Sequence, residues 1–136
     1  MTIKTCKAPD PNPRTPSIRP PPGAVDAHCH VFGPADVFPY APDRSYTPPD
    51  APVEDLKRVH DAIGISRAVI VQASCHGTDN SAMIDAIARS GGAYRGVAIV
   101  DGNVTDEELQ ALDEGGVRGV RFNFVKHLGG TPDLDV

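Results

Sequence analysis

The strongest candidates for chemistry are two histidines, His28 and His30, in the segment 24–32. This segment has the composition of a β-strand, and a strand alternates its side chains between two faces. Alternation predicts that Asp26, His28 and His30 share one face, while Cys29 lies under the helices. Two imidazoles at the carboxyl end of a parallel strand stand where α/β enzymes place their sites. We therefore predict a site here; the alternative is a hydrogen-bonded histidine pair beside a surface loop.

Polar side chains also follow the β-branched run of the second predicted strand, 67–74. Ser74 and His76 have the same parity as Gln72, which makes them candidate ligand contacts. The alternative is that residues 74–77 form only a polar turn, since such residues favour turns and helix caps for local reasons.

The fourth predicted strand, 117–124, contains a candidate anion-binding residue, Arg121. If Phe122 and Phe124 pack against the helices, alternation directs Arg121 to the interior. A guanidinium group there needs a paired anion. Either an acid such as Asp26 supplies it in a structural ion pair, or a bound carboxylate does, which suits the planar donor fork of Arg.

The elements that must position these residues repeat as strand, loop and helix. Residues 1–22 contain seven of the fourteen prolines and are predicted to be a disordered tail. From residue 23, the pattern predicts four parallel strands joined by three helices, an α/β fold whose sheet is open or closed. The predicted strands are 24–32, 67–74, 95–100 and 117–124, and the predicted helices are 52–63, 81–90 and 105–114. Asp50 is predicted to cap the first helix and Gly64 to end it, and Thr105 with Glu108 predicts a capping box at the start of the third.

Composition excludes several classes of function. The 136 residues carry 13 basic and 18 acidic side chains, a net charge of −5, with no basic patch for nucleic acid. Apolar runs reach only about four residues, whereas a membrane span needs about 20. Three cysteines without a CxxC pair favour a reducing compartment, and no glycine-rich phosphate loop is present. We expect a soluble, cytoplasmic protein without nucleic-acid or membrane partners.

Several segments resemble one known family. The motifs are VDAHCHVFGP at 25–34, FPYAP at 38–42, IVQASCHG at 70–77 and GVRGVRFNFVK at 116–126. HxH is shared by the whole amidohydrolase superfamily. The FGP, FPYAP and RFNFVK segments are more specific, and they resemble its lactonase branch, which hydrolyses 2-pyrone-4,6-dicarboxylate. The resemblance covers about residues 24–127.

The resemblance implies a (β/α)₈ barrel that opens a cyclic pyrone dicarboxylate to an open-chain oxo tricarboxylate, in the breakdown of lignin-derived aromatic compounds. It implies no cofactor and no divalent metal. His28 and His30 would be catalytic, polarising the lactone carbonyl and stabilising the developing oxyanion. His127 stands where the branch usually has Arg. The implied substrate-binding residues are Tyr46, Ser74, His76, Arg121 and His127.

A complete barrel of this type needs roughly 250 residues, so residues 23–136 are expected to be its N-terminal half. The branch's water-activating Asp on the eighth strand and a further His have no counterpart, so we expect this chain to be inactive alone. Two alternatives stay open. One is a zinc-dependent hydrolase or decarboxylase with His28 and His30 as ligands. The other is a non-catalytic half-barrel that associates with itself or another chain through open strand edges.

Overall fold

The computed structural model describes residues 3–124. Within this range, each strand of the main sheet ends two to four residues earlier than the sequence predicts. The strands are β1 (Lys4–Thr5), β2 (Val25–Cys29), β3 (Tyr46–Thr47), β4 (Arg67–Val71), β5 (Tyr94–Ala98) and β6 (Val117–Val120). The helices are α1 (Val53–Ile63), α2 (Ser81–Ala88) and α3 (Asp106–Glu114), and a 3₁₀ turn (Ser74–His76) follows β4.

Four parallel strands form the main sheet of the described part, in the order β2-β4-β5-β6. Each consecutive pair is connected through one helix, as parallel pairing requires. The predicted α/β class is therefore confirmed. Since all strands run in the same direction, the loops after them gather at one edge of the sheet.

The core lies between the sheet and the helices α1 and α2. Ile70 and Met83 are fully buried there, and burying an aliphatic side chain of this size contributes about 1.5–3 kcal/mol. Gly96 on β5 lets α2 approach closely, because a Cβ atom there would lie 2.9 Å from both Ile87 Cδ1 and Met83 Sδ. This packing holds the sheet at a fixed distance from the helix layer.

Two of the predicted helix-end signals are confirmed and one is wrong. Gly64 ends α1 with a φ of 81°, and Thr105 and Glu108 form the predicted capping box of α3. The prediction that Asp50 caps α1 is wrong. The N-cap is Pro52, and the Asp50 carboxylate instead accepts hydrogen bonds inside the loop that precedes the helix.

The structure differs from the predicted disordered tail at Lys4–Thr5. These two residues form β1, which pairs in parallel with β3, Lys4 opposite Tyr46 and Thr5 opposite Thr47. Much of the segment 6–22 is exposed and irregular. The domain boundary at residue 23 stays a prediction. Within residues 3–124, no helix is both long and apolar enough to cross a membrane.

Candidate active site

An irregularity in β2 decides which of its side chains face the site. Asp26 pairs with Ala68 and Cys29 with Ile70, so β2 advances three residues while β4 advances two. This is a β-bulge, and the extra residue reverses the alternation of side chains. The prediction that Asp26 shares a face with His28 and His30 is therefore wrong. Asp26 is instead hydrogen-bonded to His60 of α1, on the helix side of the sheet.

The two histidines remain close together, with His28 inside the bulge and His30 after it. The rings of His28 and His30 lie edge to face, with centroids 5.1 Å apart. His30 Nδ1 lies 2.7 Å from the Val71 carbonyl oxygen. A carbonyl only accepts, so Nδ1 carries the proton and Nε2 of the neutral ring has a free lone pair. Burial lowers the pKa of His30, and the charges of His28 and Arg121 lower it further.

His30 lines a concavity of about 360 Å³ at the carboxyl ends of the strands. Three other predicted site residues line it too, although they come from β3, the turn after β4 and the end of β6. Tyr46 is hydrogen-bonded to Ser74, and burial raises the pKa of its phenol. The full lining is Cys6, His30, Tyr46, Ser74, Arg121 and Asn123.

Arg121 lines this concavity, but neither the packing nor the ion pair that the sequence suggested for it is present. Phe122 and Phe124 are 52% and 57% exposed, so they do not pack under the described helices. The proposed ion pair with Asp26 is also wrong, because that carboxylate is bonded to His60. Arg121 Nη1 donates to the Gln72 carbonyl at 3.3 Å. No ion pair found among residues 3–124 includes Arg121.

The structure places His76 beneath the neighbouring loop, outside the lining of the concavity. The ring is 2% exposed, since β4 ends at Val71 and residues 74–76 turn. Nδ1 donates to the Pro39 carbonyl at 3.2 Å, and Nε2 accepts from the Gly33 amide at 3.2 Å. Both ring nitrogens are therefore used to hold the loop that leads to Tyr46.

The same loop is held from its other side by Asp50. Its carboxylate accepts from the Ala35 amide at 3.2 Å and from the Tyr40 hydroxyl at 2.8 Å. The Tyr40 ring also contacts the His76 ring, with centroids 4.8 Å apart. These hydrogen bonds and this ring contact hold the proline-rich loop next to the concavity.

A larger cavity of about 530 Å³ lies between α2 and α3. Its carboxylates have local structural partners. Asp79 accepts from the Ser81 amide, Asp101 from the Asn103 amide, and Glu108 belongs to the capping box. We therefore assign the site to the smaller concavity, where His30 and Arg121 meet.

Residues 25–135 match the family described as amidohydrolase. The chain belongs to the amidohydrolase family. The motif His28-Cys29-His30 lies within the matched range, as do all residues that line the concavity except Cys6.

Three proteins that are similar to this chain are named as hydrolases. The 2-pyrone-4,6-dicarboxylate hydrolase of Comamonas testosteroni is 58% identical over 117 residues, 86% of this chain and 38% of that protein. The 4-sulfomuconolactone hydrolase of Rhizobium radiobacter is 44% identical, over 98% of this chain and 45% of that protein. A crystal structure from Acinetobacter baumannii, a probable 2-pyrone-4,6-dicarboxylic acid hydrolase with citric acid bound, has a TM-score of 0.67 and 33% identity. It covers 73% of this chain and 37% of that one.

The chain therefore spans less than half the length of the curated relatives it matches. Its four parallel strands and their helices are part of the amidohydrolase barrel. Of the predicted site residues, His127 lies outside residues 3–124. The sequence analysis missed His60, although its spacing from Val53 and Leu56 places it on the buried face of α1.

Proposed function

We propose that the protein containing this segment is a hydrolase that opens a lactone carrying anionic groups, with 2-pyrone-4,6-dicarboxylate as the first substrate to test. The observation that carries the proposal is that His30 and Arg121 line one concavity. One offers a group for proton transfer and the other a fixed positive charge. The names of the two curated relatives, both lactone hydrolases, support it.

Arg121 would bind a carboxylate of the substrate. Its planar guanidinium presents paired donors that match a carboxylate. The Acinetobacter relative was crystallised with citric acid, a tricarboxylate, which supports carboxylate recognition within the family. Tyr46 and Ser74 supply hydroxyl groups to the same concavity and would contact the substrate's oxygens. We propose His127 as a further substrate contact on its sequence position alone.

The histidines would act at the ester. Hydrolysis adds water to the lactone carbonyl and breaks the ring C–O bond, and the released oxygen takes up a proton. The neutral His30 can accept a proton at Nε2, but it can donate to a carbonyl oxygen only after protonation, which its burial disfavours. His28 is exposed and is the better candidate to donate to the developing oxyanion. The water-activating base would come from outside this segment.

A second candidate is a metal-dependent hydrolase of the same family, and the bonding of His30 favours it. Metal-binding histidines typically donate their other ring N–H to a carbonyl or carboxylate, as His30 does to Val71. His28 and His30 would be the ligands from this chain. A divalent metal would polarise the substrate's carbonyl.

One set of assays separates these candidates. The complete protein is incubated with 2-pyrone-4,6-dicarboxylate, and loss of pyrone absorbance is followed before and after dialysis against a chelator, with metal content measured in parallel. We expect turnover that resists the chelator. Turnover that is abolished by the chelator and restored by zinc selects the metal-dependent candidate. If neither preparation turns over the pyrone or 4-sulfomuconolactone, the proposed function is wrong.

A further inference from the structure

A polar network of two buried residues and one partly exposed carboxylate lies behind the strand that carries the two histidines. We call it the Asp26 network: Asp26 on β2, His60 on α1 and Tyr94 on β5. His60 Nε2 donates to Asp26 Oδ2 at 3.1 Å, and His60 Nδ1 lies 3.1 Å from the Tyr94 hydroxyl. His60 is only 2% exposed and Tyr94 4%. A histidine in a core costs free energy unless its nitrogens are bonded, and here both are.

The network reaches the site through one backbone bond. The second oxygen of Asp26, Oδ1, accepts from the His28 amide at 3.0 Å. This bond spans the bulge, where β2 has one residue more than β4. One carboxylate therefore fixes both the helix side of the strand and the backbone of the first histidine.

The surroundings of Asp26 also change its pKa. Burial acts to raise the pKa of Asp26, but the hydrogen bonds from the His28 amide and the His60 ring outweigh it, and the pKa lies below its usual value.

The same residues could be mistaken for a metal site. Ligand atoms of Asp26, Cys29 and His60 lie within 4.8 Å of one another. Each already has a partner, however: the Cys29 thiol donates to the Val69 carbonyl at 3.5 Å. Burial also raises the pKa of Cys29 to about 12, so the thiolate that a metal requires is disfavoured. The observations favour a hydrogen-bonded network.

We propose that Asp26 is a positioning residue for the candidate catalytic pair. Anchored by His60 and Tyr94, it holds the bulge that keeps the His28 ring against His30, which lines the concavity. This inference rests on the proposed function for its effect on catalysis, whereas its structural part is testable without turnover.

The kinetic test compares two replacements of Asp26 in the complete protein. Asp26→Ala removes the acceptor, and we expect kcat to fall at least about tenfold with KM within about twofold, since small misplacements of reacting groups are costly. Asp26→Asn keeps Oδ1 for the His28 amide and should retain kcat within about threefold. Asp61→Ala, an exposed acid next to His60 on α1, controls for loss of charge and should leave kcat unchanged.

Amide hydrogen exchange at His28 tests the structural part independently of activity. Exchange should be roughly five- to tenfold faster in Asp26→Ala, the effect of one lost hydrogen bond, and near wild type in Asp26→Asn. Tyr94→Phe keeps the ring in the core and removes only the end of the network, so it provides a second variant if Asp26→Ala does not fold. We expect it to accelerate His28 exchange to a smaller degree.

Three outcomes would overturn the positioning role. One is unchanged His28 exchange in both folded variants, Asp26→Ala and Tyr94→Phe. Another is a kcat in Asp26→Asn as low as in Asp26→Ala, which would give the carboxylate itself a chemical task. The third is stoichiometric zinc that is lost in Cys29→Ser, which would make the cluster a metal site. Absence of lactonase activity in the unmodified protein counts against the proposed function only, and the exchange measurement then decides the positioning role.

Discussion

At the scale of single residues, Arg121 presents a positive charge to the concavity without an ion-pair partner among the described residues. We expect Arg121→Met in the complete protein to lower kcat/KM by about 10²-fold or more, corresponding to ~2–4 kcal/mol, because a substrate carboxylate loses its bidentate partner. Arg121→Lys should recover only part of the loss, since a point charge cannot reproduce that geometry.

The matched control is Arg118→Met. Arg118 lies on β6, three residues before Arg121, but is exposed and pairs with Asp113 at 2.8 Å, so kcat/KM should be unchanged. If Arg121→Met lowers only the melting temperature and leaves kcat/KM within about twofold of wild type, Arg121 has a structural role and the proposed substrate orientation is wrong.

A second prediction for a single residue concerns His76 and the pH dependence of the protein's stability. Burial lowers the pKa of His76, and the neutral ring is bonded at both nitrogens. Because the folded-state pKa lies below the unfolded value, the neutral ring contributes stability above the unfolded pKa, ordinarily about 6.5. That contribution is lost as the pH falls through the folded pKa.

Urea denaturation at pH 8 and at pH 5 measures this effect. We expect His76→Gln to destabilise the protein at pH 8 by about 1–3 kcal/mol, the range for losing buried hydrogen bonds. The difference from wild type should shrink at pH 5. A difference that is equal at the two pH values would show that proton binding at His76 is not coupled to folding.

At the scale of elements, the close packing of β5 on α2 depends on Gly96. A Cβ atom there would lie 2.9 Å from atoms of Ile87 and Met83. We expect Gly96→Ala to lower the free energy of unfolding by about 1–3 kcal/mol, the usual cost of overpacking a core. Gly102→Ala is the control, because no atom lies within 4 Å of its added Cβ. Equal denaturation midpoints for Gly96→Ala and wild type would show that the side chains of α2 yield without cost.

At the scale of the whole molecule, the sheet of the described part has β2 and β6 as its outer strands. Near the second edge, Val120, Phe122 and Phe124 are 43–57% exposed. Unpaired strands with apolar neighbours favour association. We expect the 136-residue chain to form oligomers in light scattering and to give no pyrone turnover. Turnover proportional to the amount of a monomeric 136-residue chain would contradict both expectations.

The local sequence determined much of the fold. Hydrophobic periodicity and stop signals such as Gly64 predicted the main strands and helices, and the Thr105 capping box marked the start of α3. These features depend on residues two to four positions apart, two in strands and three or four in helices, which a sequence displays directly. The HxH motif likewise marked the site strand without any tertiary information.

Only the tertiary structure decided how the site is assembled. The bulge that separates Asp26 from His28 depends on the register between β2 and β4, and register is a property of strand pairing rather than of one strand. Asp26 meets His60, and His76 meets Gly33, across 34 and 43 residues of chain. Such pairs form because separate elements are packed against one core, and no local pattern encodes which side chains that packing brings together.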